Sequence, residues 1–135
     1  MKDLQLLLGR IGLSYIFITS GWSKIGGLAG TQQYMEAMGV SGSLVYPVIA
    51  LELLAGLAVL AGAWTRYAAW ALALFSLATA VLFHGNLADG NEAIQFNKNL
   101  AIAGGFLALA VAGAGAWSLD GVRNRQPARG LPARG

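Results

Sequence analysis

The sequence predicts an all-α membrane protein: a four-helix transmembrane bundle of up-down topology with both termini in the cytoplasm. Three observations lead there. Hydrophobic residues make up 56% of the 135-residue chain and charged residues only 11%, whereas an ordinary soluble domain carries about a quarter charged residues. The apolar residues fall into four runs near the length of about 20 residues that crosses a hydrocarbon core of about 30 Å. The nine Lys and Arg residues flank those runs unevenly. With the N-terminus inside, Lys2, Arg10, Arg66, Arg123, Arg125, Arg129 and Arg134 fall on the cytoplasmic side and only Lys24 and Lys98 outside, as positive-inside bias requires.

The first span is expected over residues 4–25, interrupted by Arg10 and closed by Lys24 and Gly26-Gly27. Asp3, Arg10 and the lack of an early small-residue cleavage site argue against a cleaved signal peptide. A brief helix over 31–38, capped by Thr31 and stopped at Gly39, would hold Tyr34, Met35 and Met38 at the membrane surface. The second span is expected over 45–63, with Pro47 suited to its first turn. Trp64-Thr65-Arg66 reads as a tight interfacial turn, and the third span as 67–83, with Trp64, Tyr67 and Trp70 placed like an aromatic belt. Residues 84–97 read as a polar loop with a turn at Asp89-Gly90, followed by a fourth span over 99–117. Residues 1–120 thus form one transmembrane domain. Residues 121–135, with three Gly, two Pro and four Arg, read as a basic, disordered cytoplasmic tail. Glycines in the spans are expected to bring helices into close contact.

Ionisable residues inside spans need an inward face, a partner or water. Arg10, Ser14, Phe17, Gly21 and Lys24 recur at spacings of 4, 3, 4 and 3, which at 100° per residue makes one stripe facing the interior. Glu52 lies seven residues into the second span, roughly 10 Å deep at 1.5 Å per residue. By depth its partner is Lys24 rather than Arg10. His84, the sole histidine, ends the third span at the same face from which Asn97, Lys98 and Asn99 open the fourth. Lys24, Glu52, His84, Asn97, Lys98 and Asn99 therefore form a candidate polar pocket facing outward. Three readings stand there: Glu52 as an ion-pair strut that sets helix register, as a ligand or proton site, or as part of a contact with a partner protein. At the cytoplasmic end Asp120 is expected in structural ion pairing with Arg10 or Arg123.

Composition narrows the chemistry. The chain has no cysteine, so it offers no disulfide, no thiolate metal site and no dithiol relay. One histidine without cysteine gives no basis for a metal site, and no resident cofactor is expected. The net charge of +3 belongs to membrane orientation, not to nucleic acid.

Certain runs carry a resemblance: Gly9-Arg10, Phe17-Ile18-Thr19 leading to Gly21-Trp22-Ser23-Lys24, and Gly30-Thr31-Gln32-Gln33-Tyr34-Met35-Glu36-Ala37-Met38-Gly39-Val40. Further on come Glu52, Phe83-His84, Lys98-Asn99, Gly104-Gly105-Phe106 and Ser118-Leu119-Asp120. In this order and spacing the chain resembles the DoxX family of small bacterial membrane proteins, over nearly its whole length to Asp120. Ser41 departs from the proline that relatives often carry there, and the tail is longer and richer in Arg and Pro. The resemblance implies a four-helix bundle in the bacterial inner membrane, associated with membrane redox or oxidative-stress systems. The family name comes from a subunit associated with thiosulfate:quinone oxidoreductase. No catalytic residue carries over. The function expected first is an accessory subunit of such a system, without catalytic activity of its own, partnered by a membrane or peripheral redox enzyme or by further copies of itself. The alternatives are a small proton-linked carrier using Glu52 with Lys24 and His84, and a quinone-related oxidoreductase with a quinone site near His84.

Overall fold

A computed structural model describes residues 1–125. Helix α1 spans Lys2–Gly26, α2 Leu28–Ala37, α3 Val45–Ala61, α4 Thr65–Phe83, α5 Gly90–Ala112 and α6 Leu119–Arg125; a 3-10 turn at Gly42–Leu44 leads into α3. There is no strand among the described residues. Four segments, Lys2–Gly26, Gly42–Ala61, Thr65–Phe83 and Gly90–Ala112, are long and apolar enough to cross a membrane. Between 22% and 33% of each is buried within the bundle, so most of every span faces outward. Val111 is 86% exposed and Trp22 73%; in lipid such faces are solvated, not stranded.

The four long helices form a ring in the order α1, α3, α4, α5, with α1 returning to α5. The pairs α4–α5 and α1–α3 pack most extensively, α3 meets α4 next, and α1 and α5 close the ring. The core is built from Phe17, Val59, Leu72 and Phe106, with Ala69, Ala73, Ala103 and Ala110 between them. Small residues let α1 and α3 approach closely. A Cβ on Gly21 would come within 2.9 Å of Leu53 Cγ, and one on Gly56 within 3.0 Å of Ile18 Cγ1. Since neighbouring lipid tails are as apolar as leucine, such van der Waals contact is what holds helices together.

Several element boundaries differ from the sequence expectation. α2 starts at Leu28 after Gly27, so Thr31 lies inside the helix and caps nothing. α3 ends at Ala61 because Gly62 takes a left-handed conformation (φ 70°), and α4 already starts at Thr65. The largest difference is at α5. Its N-cap is Asp89, whose carboxylate accepts the backbone N–H groups of Asn91 and Glu92, and residues 90–97 of the expected polar loop are its first two turns. The same helix stops at Gly113 (φ 79°) rather than at 117. Five residues of the expected tail, up to Arg125, belong to α6; the remainder of that tail, residues 126–135, lies outside the described residues.

Candidate functional site

The expected inward stripe on α1 is the buried one: Arg10, Ser14, Phe17 and Gly21. It ends at Lys24, whose ammonium reaches back into the bundle. Lys24 Nζ donates to both Glu52 carboxylate oxygens at 3.0 Å and to Ser20 Oγ at 2.6 Å. Ser20 Oγ in turn donates to Glu52 Oε1 at 3.4 Å. The Glu52 side chain is 5% exposed and that of Lys24 22%, so the anion is inside and the cation reaches it along its aliphatic stem. Every N–H of the ammonium has an acceptor, and the two charges cancel.

This pair lies beside a cavity of about 230 Å³ set into one end of the bundle. α1 lines it with Ile16, Phe17, Ser20 and Lys24; α3 adds Val48 and Glu52. α4 contributes Phe75, Ser76, Thr79 and Phe83, and α5 contributes Asn99 and Ile102. α2 lies over the cavity with Thr31, Tyr34 and Met35, and the Tyr34 ring stacks on Phe83 with centroids 5.5 Å apart. Met35 is buried there while Met38 stays exposed, so α2 serves the pocket as well as the surface. Burial first, and then the nearby Glu92 carboxylate, raise the pKa of the Tyr34 phenol and keep it protonated and neutral.

His84, just past α4, lines the cavity and pairs through Nδ1 with Glu92 Oε2 at 2.9 Å. Asn99 lines it too and donates to Thr79 Oγ1 at 2.9 Å. Asn97 and Lys98 do not belong to the pocket: both are exposed on α5. Because α5 is already helical when it reaches them, each residue turns by 100° from the last, and only Asn99 of the three faces inward. The polar groups that sequence reasoning missed are Ser20, Ser76, Thr79 and Glu92. Ser20 had a signal, standing four residues before Lys24 on the same face. Among the described residues no three His, Asp or Glu side chains stand together as a metal-binding group.

Arg10 and Asp120 lie together at the opposite end without forming an ion pair with each other. Arg10 donates to the carbonyls of Leu60 (3.0 Å), Val59 (3.5 Å) and Trp117. Asp120 accepts the backbone N–H groups of Trp64 and Thr65, each at 3.0 Å, and pairs with Arg123 at 3.2 Å. Burial pushes the Asp120 carboxyl up, but the Thr65 and Trp64 hydrogen bonds and the Arg123 charge outweigh it and hold its pKa below the ordinary value.

A ring of four lipid-facing helices closed at one end by backbone bonds and opened at the other into a small polar-apolar pocket defines a class: small multi-pass membrane bundles. Within that class the chain belongs to the DoxX family, whose family model matches residues 5–85. It is similar to the inner membrane protein YqjF of Escherichia coli (strain K12), at 52% identity over 126 residues covering 93% of this chain and 97% of that protein. It is also similar to the inner membrane protein YphA of the same organism, at 40% identity over 88% of this chain and 90% of YphA. A protein of Bacillus subtilis (strain 168) named "Putative oxidoreductase CatD" is 30% identical over 79% of this chain and 85% of its own length. No solved structure matches the chain. The protein is thus a multi-pass inner membrane protein.

Proposed function

We propose that the protein is an accessory subunit of a membrane redox or oxidative-stress system, and that its pocket holds a small lipid-soluble molecule of quinone type for that system. The observation that carries this reading is the pocket: aromatic and aliphatic walls from Phe17, Phe75, Phe83 and Ile102 meet a neutralised Lys24–Glu52 pair and a few hydroxyl and amide groups. Ligand sites are commonly built so, mostly apolar with a small number of placed polar groups. The similarity to a protein named as an oxidoreductase supports the redox context. The chain has no cysteine, so electrons relayed through a dithiol would come from the partner. A proton-linked carrier through Glu52 is the weaker reading. Phe17 stands at the floor of the pocket, and Leu72, Val59 and Phe106 fill the core beyond it, all 6% exposed or less.

The test is purification of the tagged full chain from native membranes under mild conditions, with cross-linking and mass spectrometry. A redox enzyme in stoichiometric amount is the expected result. A clean homo-oligomer with no partner would reject the accessory role.

A further inference from the structure

The hydroxyl groups within the spans follow one habit. In a helix surrounded by lipid, Ser and Thr return their hydroxyls to a carbonyl three or four residues back. Ser14 bonds Ile11 O, Thr19 bonds Tyr15 O, Ser23 bonds Ser20 O and Thr79 bonds Ser76 O. Ser20 is engaged by Lys24 and Glu52. Two span residues depart from it, Thr65 and Ser76: each is 2% exposed, and its buried hydroxyl oxygen has no hydrogen-bond partner among the described residues. Of the two, Ser76 lines the pocket. A buried polar atom left unpaired costs free energy that a ligand can recover.

The depth agrees. Ser76 stands seven residues from the end of α4 at Phe83, and Glu52 seven from the start of α3 at Val45, so both lie roughly 10 Å in from that end of the bundle. Phe17 and Phe75 meet edge to face nearby, with centroids 6.2 Å apart. The ionisable groups beside the pocket already have partners: Lys24 pairs with Glu52, and His84 Nδ1 shares a hydrogen bond with Glu92. An ionic ligand would therefore bring an uncompensated charge into a buried site.

We propose that Ser76 Oγ is the hydrogen-bonding contact for the ligand, so that the pocket selects a neutral planar ring bearing a carbonyl or hydroxyl oxygen over the same ring without one. This rests on the reading of the pocket as the site of a lipid-soluble molecule. The test uses the full chain in phosphatidylcholine nanodiscs, with menadione and methylnaphthalene as probes and binding to empty nanodiscs subtracted. Wild-type protein binds menadione more tightly than methylnaphthalene. Ser76→Ala weakens menadione about 5–10-fold, the worth of one neutral hydrogen bond, and leaves methylnaphthalene unchanged. Without ligand, Ser76→Ala melts at the same or a higher temperature, because it removes an unpaired buried hydroxyl. Equal effects on both probes, or a lower melting temperature without ligand, would overturn the role of Ser76 while menadione binding by the wild type kept the pocket reading. Failure of the wild type to bind menadione would overturn both.

Discussion

Arg10 reaches three backbone carbonyls from inside the bundle while only 1% exposed. The last carbonyls of any helix lack an intrahelical partner; Leu60 is such a residue at the end of α3, and the Val59 carbonyl is shared between Arg10 and the N–H of Gly62. The planar guanidinium donates in two directions at once, to α3 and to Trp117. Gly62 makes room for it: a side chain there would collide with Arg10 and Ser118. Arg10→Met is expected to lower the unfolding free energy by about 2–4 kcal/mol, the worth of one to two charge-assisted bonds. Arg10→Lys recovers less than half, since an ammonium lacks the fork. Thermal or denaturant unfolding in detergent measures both, and a loss below about 0.5 kcal/mol would mean that those carbonyls find other partners. At this scale much could be read in advance. The α1 stripe and the reach of Lys24 to Glu52 follow from 100° per residue and from depth. The part played by Ser76 did not, because serines in apolar helices look alike until their hydrogen bonds are traced.

The turn between α3 and α4 puts Trp64 at φ 45°, a left-handed conformation that is uncommon for a bulky residue. Asp120 holds it there. Its carboxylate takes the N–H groups of Trp64 and Thr65, which open α4, so a side chain 55 residues away caps that helix from outside. Arg123 lies over the Trp64 ring at 5.6 Å. Because the folded pKa of Asp120 is depressed, its stabilising contribution is complete above the ordinary carboxylate value and is lost as pH falls through the lowered one. Asp120→Asn is expected to cost about 1 kcal/mol at neutral pH and to flatten the decline of melting temperature below about pH 4; an unchanged acid limb would assign that decline to another carboxylate. Element boundaries were the least readable part of the sequence, and α5 shows why. Its first turns carry Asn, Glu, Gln and Lys, so hydropathy placed them in a loop. The pattern Asp89-Gly90-Asn91-Glu92 was nonetheless a helix-start signature. Missing it set the wrong phase for Asn97 and Lys98.

Four crossings return the chain to the side on which it began, so the segments before α1 and after α5 share one face and the pocket opens toward the other. The bias of basic residues predicts that the shared face is the cytoplasmic one. A fluorescent protein fused after Arg125 is therefore expected to fluoresce, and alkaline phosphatase at the same point to be inactive; the opposite pair of results would invert the bundle. The architecture was readable because lipid leaves few choices. A span must satisfy its own backbone, and the lengths of the apolar runs then count four.

The short segment 113–120 also bears on how the molecule is made. Asp3 accepts the N–H of Ala116, Arg10 holds Trp117, the N–H of Asp120 donates to the Gly62 carbonyl, and the Asp120 carboxylate receives the start of α4. These residues leave the ribosome only after all four spans have been synthesised. Until they arrive, the guanidinium has only its α3 carbonyls, and the strained Trp64 turn lacks Asp120. Locking is therefore expected to follow insertion, and a chain cut short before residue 113 is expected to be degraded faster in the membrane than the full chain, as a pulse-chase measurement would show.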